Sequence, residues 1–205
     1  MSATDIAARI VGIETFTAAY PVTGQFKFFT QPTRGTIVVK ITSESGHTGW
    51  GQSVPSLTWS YETLESARTT IDRYLAPALL GMDAFATETI WRTMNHAIAP
   101  AFSTGQPIAK AGIDLALFDL TGRILQQTAA QRWQVQGGGT LGLSWTISAQ
   151  TLEDVQASIA DAHRRGYRHF NVKVGGTGRK CPMASDSESK WMKSASTLRP
   201  CKTTC

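Results

Sequence analysis

Cysteine is nearly missing from this chain of 205 residues. There are three, Cys181, Cys201 and Cys205, all within the last 25 positions. An odd number confined to one end excludes a self-contained disulfide framework. The spacings of 20 and 4, with no histidine nearby, do not suit a zinc site. No apolar run approaches the ~20 residues that a membrane span takes. The opening residues, MSATDIAARIVG, have neither a basic nor a long apolar stretch, so no secretory signal is expected and the expected location is cytoplasmic. Charge is also scarce, at 17%, against 41% hydrophobic residues. That balance excludes a disordered chain and a long coiled coil, and it suits one globular domain or two small ones.

The net charge of +5 hints at an acidic partner such as nucleic acid. Its distribution weakens the hint. Residues 1–178 carry 14 Lys+Arg against 13 Asp+Glu, a net +1; residues 179–205 carry 6 against 2, a net +4. The basic character belongs to the end, RKCPMASDSESKWMKSASTLRPCKTTC. That end has no helical or strand period and is expected to be an unstructured tail. A nucleic-acid partner is therefore not expected for the rest.

The patterned part begins with RIVGIETFTAAY (9–20), rich in β-branched and aromatic residues and read as a strand. PVTGQFKFFTQPTRG (21–35) reads as a long loop with an apolar tip. TIVVKIT (36–42) and a short run after SESGHTGWGQ complete an antiparallel meander. Helices follow. Leu64, Ala67, Ile71, Tyr74 and Ala78 share one face over 62–80, with Pro77 bending the last turn and Gly81 as stop. A second helix covers 86–98. A third opens at Pro107, with Ile108, Ala111, Leu115 and Phe118 as its apolar stripe and small residues at 109, 111, 112 and 116 for close packing.

Near residue 137 the pattern changes. A strand is predicted over 141–147, then a helix opened by Thr151 and Asp154 and stopped by Gly166, then the β run HFNVKVGG. Strand, helix and strand with short connections make a parallel pair. The predicted organisation is an α+β capping domain over 1–106, a linking helix and βαβ unit over 107–178, and the tail over 179–205. Asp114 and Asp119 lie about 140° apart around their helix, which argues for structural roles such as an Asp119–Arg123 pair rather than a carboxylate dyad. GGTGRK (175–180) fails the spacing of a phosphate loop.

Three segments, GHTGWGQSVPSLTWSYET (46–63), AKAGIDLALFDLTGRIL (109–125) and RRGYRHFNVKVGG (164–176), occur in an order and spacing that resemble the mandelate racemase/muconate lactonizing branch of the enolase superfamily. The resemblance covers about residues 9–176. It implies a capping domain followed by a (β/α) barrel, and abstraction of the proton next to a carboxylate. It also implies Mg²⁺ to hold the resulting enediolate. Lys173 falls at the position of the family's catalytic base. Asn171, on the same strand face, replaces the first lysine of a common Lys-x-Lys pattern and becomes a candidate substrate ligand. Tyr20, Phe26 and Trp59 are candidates for the pocket wall, on loops expected to fold over the barrel mouth. The expected substrate is a small carboxylate such as a sugar acid, handled by a dehydratase or racemase.

Only 65 residues follow position 140, whereas a barrel takes about 200 or more. The family's metal ligands belong to later barrel strands, so no metal ligand is assigned to any residue here and this chain is not expected to bind Mg²⁺ or to turn over substrate. The abrupt change after Gly176 has the form of a truncation or a shifted reading frame. A non-catalytic association protein built on the cap is the alternative. A half-built parallel sheet exposes strand edges, so self-association is also expected.

Overall fold

The computed structural model describes residues 7–22, 33–57, 60–135, 139–147 and 151–173. They fall into two compact units, one reaching to Thr140 and the other starting at Leu141. The predicted linking helix from Pro107 packs inside the first unit, because its buried face is matched to that unit's sheet. The predicted tail over 179–205 lies outside the described residues.

In the first unit, β1 (Ile10–Pro21), β2 (Thr33–Ser43) and β3 (Thr48–Ser53) form an antiparallel meander in the order β1-β2-β3. β1 and β2 extend past the predicted 9–20 and 36–42, which shortens the loop between them. Period-two alternation places Ile37, Val39 and Ile41 of β2 on a fully buried face. The opposite face carries the Glu14–Lys40 pair at 2.8 Å and a tilted Phe16–Trp50 contact with ring centroids 6.1 Å apart.

After the sheet come α1 (Leu64–Thr70), a π-helical stretch (Ile71–Leu75), α2 (Ala76–Leu79), α3 (Thr87–Ala97), α4 (Pro107–Leu125) and the short α5 (Ala129–Arg132). The π stretch is the form taken by the bend expected from Pro77. Proline cannot donate to the carbonyl four residues back and its ring crowds it. The turn ahead of it widens, and the Ala76 N–H bonds to Ile71 O, five residues back. Gly81 then ends the segment with a φ of 80°. Leu75, Leu79, Ile90 and Met94 close the core against Ile10 and the β2 face.

The apolar stripe predicted for α4 is corrected. Ala109, Ile113, Ala116, Leu117 and Leu120 are buried, whereas Leu115 is 51% exposed. The small residues decide the orientation. A Cβ at Gly51 would fall against Gly112 O and the Ala116 N–H, and one at Gly49 against Ala116 O, in each case closer than the 3.0 Å that real Cβ atoms keep. The helix backbone therefore lies directly on β3, which the bulkier Ile108–Phe118 stripe would not allow. Asp119 then locks the contact: its carboxylate accepts the Trp50 N–H at 2.9 Å and the Arg123 Nε–H at 2.8 Å. Asp114 instead accepts the Trp91 indole N–H at 2.9 Å. Both aspartates are structural, as their spacing predicted.

In the second unit, β4 (Ser144–Ile147), α6 (Leu152–Arg164) and β5 (His169–Val172) form the predicted βαβ unit, with β4 and β5 parallel. β4 is shorter than the predicted 141–147. Thr151 caps α6 by accepting the Asp154 N–H at 3.2 Å. The reciprocal half of a capping box does not form, because the Thr151 hydroxyl itself donates to the Asp154 carboxylate at 2.8 Å. Among the described residues of this unit, Ala162 and Ile147 are the buried apolar ones.

Three substitutions test the β3–α4 contact. Gly51→Ala should destabilise the protein by about 2–3 kcal/mol in urea unfolding, since an overpacked backbone contact has to open. Gly12→Ala, where a Cβ meets Thr42 Cβ at an ordinary 4.0 Å, should change stability by less than about 0.5 kcal/mol. Asp119→Ala should cost about 2 kcal/mol, because it leaves the Trp50 N–H and the Arg123 cation without their shared acceptor; a change below about 0.5 kcal/mol would show that the link carries no load.

Candidate functional site

Alternation along β4 and β5 gives the second unit one covered and one open sheet face. Trp145 and Phe170 belong to the covered face. The Trp145 indole N–H donates to Ser158 Oγ of α6 at 3.0 Å, and the Phe170 ring lies 5.3 Å from that of His163. The other face takes the intervening residues: Ser144 and Thr146 from β4, His169 and Asn171 from β5, and Lys173 just beyond it. All five are polar. A strand face that packs on a core is apolar, so this composition is that of a solvent-exposed polar face rather than of a buried seam.

Lys173 extends the parallel ladder by one step, its backbone N–H donating to Ile147 O at 3.0 Å. Its Cα is thereby fixed at the C-terminal end of β5, the end where α/β folds place their chemistry. The side chain is exposed. Asn171, two residues earlier, is pinned across the sheet: its Nδ2 donates to Ser144 Oγ at 2.8 Å. The amide keeps one N–H and its carbonyl oxygen for another partner. Asn171 and Lys173 are thus brought onto one face, as the period of two predicted.

Tyr20 lies near the end of β1 in the first unit and is 39% exposed. Phe26 and Trp59 fall outside the described residues. Ser144 was not singled out in the sequence. Its signal is the parallel register itself, since Ser144 pairs with His169 and so reaches the residue two further along. Glu62 and Lys110 were also missed. Both are buried charged side chains of the first unit, and nothing in their sequence neighbourhood distinguishes them from surface charges.

An open groove of about 440 Å³ lies at the end of α4, lined by Phe118, Asp119, Arg123, Gln126, Thr128 and Arg132 among others. Arg132 lies along its wall, donating to Phe118 O at 2.5 Å with its guanidinium 4.1 Å from the Phe118 ring centroid. It contains none of the predicted site residues.

The Mg²⁺ implied by the resemblance is not matched by the described residues around Lys173. Magnesium takes hard anionic oxygens in octahedral geometry. The Lys173 face offers hydroxyls, an amide, an imidazole and an ammonium, with no carboxylate. Among the described residues no group of three or more His, Cys, Asp or Glu could hold a metal ion. Nor is any described helix long and apolar enough to cross a membrane.

Residues 7–131 match the N-terminal domain of the mandelate racemase / muconate lactonizing enzyme family. Among curated relatives, the L-Ala-D/L-Glu epimerase of Bacillus subtilis is 32% identical over 171 residues, 82% of this chain and 44% of the relative. A chloromuconate cycloisomerase of Cupriavidus pinatubonensis is 34% identical over 141 residues, 68% of this chain and 37% of the relative. The crystal structure of N-succinyl Arg/Lys racemase from Bacillus cereus superposes with a TM-score of 0.75 at 27% identity, covering 82% of this chain and 45% of that one. The chain therefore spans less than half the length of the relatives it matches. With its three-stranded cap, its α4 helix seated on β3 and its lysine-bearing parallel strand, this chain belongs to the mandelate racemase/muconate lactonizing enzyme branch of the enolase superfamily.

Proposed function

We propose that residues 7–173 supply the cap and the base-bearing strand of an isomerase that removes the proton next to a carboxylate, with Lys173 as the base. The observation that carries this reading is the polar face of β4 and β5, where Lys173 is held at a strand's C-terminal end beside a pinned asparagine. In the step itself the neutral Lys173 amine takes the α-proton and becomes an ammonium. The C–H electron pair moves into the carboxylate, giving an enediolate. Return of a proton to the same carbon from either face completes a racemisation or epimerisation, and return elsewhere a different isomerisation. The Asn171 amide, fixed by Ser144, is available to a neutral polar group of the substrate.

The relatives' names favour amino-acid derivatives or an unsaturated diacid over the sugar acid expected from the sequence. By name they act on L-Ala-D/L-Glu, chloromuconate and N-succinyl Arg/Lys. Epimerisation or racemisation of a dipeptide or N-acyl amino acid is the finer reading. The present chain is proposed not to bind Mg²⁺ and not to catalyse the reaction by itself, since the described residues offer the base without an anionic metal set.

Proton NMR in D₂O tests both parts. The chain, given Mg²⁺ and a panel of dipeptides, N-succinyl amino acids and sugar acids, should wash no deuterium into the α-position. Its melting temperature should not rise with millimolar Mg²⁺, whereas a metal that binds the native state would raise it. A chimera in which residues 7–173 replace the matching part of the Bacillus subtilis epimerase should exchange the α-proton of a dipeptide. Lys173→Ala in that chimera should lower the rate by at least about 10³-fold. Exchange by the chain alone would overturn the inactivity; a Lys173→Ala chimera that still exchanges would remove Lys173 from the role of base.

A further inference from the structure

The groove at the end of α4 plays no part in the chemistry above, and its lining is chemically uneven. Phe118, Gly122 and Ala129 give it apolar surface, while Gln126, Gln127 and Arg132 bring polar groups. Its volume of about 440 Å³ is within the range of small-molecule sites. The two arginines on its wall differ in state. Arg123 is neutralised by Asp119 at 2.8 Å. Arg132 is half-buried and has no carboxylate within ion-pair distance among the described residues.

Holding an arginine in place costs side-chain entropy, and partly burying a lone cation costs hydration. The one hydrogen bond that Arg132 makes does not repay either. Its Nη1 donates to Phe118 O. That carbonyl lies inside α4, where it accepts the Gly122 N–H of the helical ladder, and it also accepts the Thr121 hydroxyl at 3.2 Å. A carbonyl has two lone pairs, so the arginine is a third donor and rescues no stranded acceptor. What these contacts do is orient the guanidinium. It stands over the Phe118 ring at 4.1 Å, and the same ring packs against Trp133 with centroids 5.4 Å apart. Gly122 leaves the space beside it free of a side chain; a Cβ there would already stand 3.7 Å from Nη1. Of the five guanidinium N–H groups, those not given to Phe118 O bond to nothing among the described residues. The side-chain amides of Gln126 and Gln127 are likewise unused among the described residues.

We propose that this groove binds a small organic carboxylate. Arg132 grips the carboxylate through two parallel N–H groups, Phe118 and Ala129 pack against its apolar body, and the Gln126 and Gln127 amides take a further polar group. A planar fork matches a carboxylate in a way that a point charge does not. Inorganic phosphate shares the fork's chemistry, but it has no apolar body to cover the Phe118 and Ala129 surface, and its second negative charge would meet Asp119 in the same lining. The groove belongs to the first unit and shares no residue with the Lys173 face, so this binding is independent of the proton chemistry proposed above.

Proton–nitrogen NMR on the full chain tests it, with phenylacetate as the probe. Phenylacetate should shift the Arg132 Nε–H signal and the Gln126 and Gln127 side-chain amide signals along one saturating curve. Phenylacetamide has the same shape without the charge and should bind at least about tenfold more weakly. Arg132→Lys keeps the charge but loses the fork, and should weaken phenylacetate binding about tenfold as well. Because Phe118 O keeps its other donors, that variant should melt within about 2 °C of wild type. If Arg132→Lys does not fold, the comparison of phenylacetate with phenylacetamide on the wild-type chain decides alone. The proposal is overturned if phenylacetate gives no saturating shift at these three residues, or shifts only signals of the Lys173 face. It is equally overturned if phenylacetamide, or the Arg132→Lys variant, binds as tightly as the wild-type pair. Saturation by inorganic phosphate where phenylacetate fails would also overturn it, since the groove would then hold an anion without an organic body.

Discussion

Direct backbone contact between β3 and α4 is the constraint on which the first unit depends. Gly49 and Gly51 on the strand, and Gly112 and Ala116 on the helix, leave no side-chain layer between them. At that distance only one rotation of the helix is compatible with a filled core. It sends Ile113 and Leu120 toward the side chains of Val39 and Ile41 and turns Leu115 outward. The polar contacts then fall where the geometry leaves unpaired backbone donors. Asp119 takes the N–H of Trp50 on the sheet's edge strand, and Glu62 takes the first N–H groups of α4. Each satisfies donors that would otherwise be stranded beside the seam.

The second unit obeys a different constraint. Parallel strands need a crossover helix, and one helix covers one face. In β4 and β5 the residues toward α6 are aromatic and apolar, while those of the opposite face are Ser144, Thr146, His169, Asn171 and Lys173. In this strand pair the same alternation places an apolar, covered face and a polar, exposed face back to back. The Asn171 side chain is held by the neighbouring strand, and the Lys173 backbone by the ladder.

Much of this was legible in the sequence. The TIVVKIT alternation, Pro107 at a helix start, Gly166 at a helix stop and the N-V-K face of the last strand each have a local cause, and each is found where it was expected. The sequence of α4 does not single out its buried stripe, because two apolar faces of the helix carry similar patterns. Which one is buried depends on Gly49 and Gly51, some 60 residues away, and not on anything within the helix. The π stretch was visible only as the bend that Pro77 demands. Glu62 and Lys110 look like ordinary surface charges until the fold brings the β3–α1 loop to the α4 N-terminus. Asn171 could be placed on a face, but its anchor, Ser144, follows only from the parallel register.

The central claim is that Lys173 acts through its free amine, and chemical rescue tests it most directly. In the chimera carrying residues 7–173, Lys173→Ala should regain α-proton exchange when primary alkylamines are added. The rescued rate should rise with the amine's basicity and saturate with its concentration, since a small amine then occupies the space of the missing side chain. Failure of every amine to restore exchange, or rescue equally well by amines of any basicity, would contradict the account.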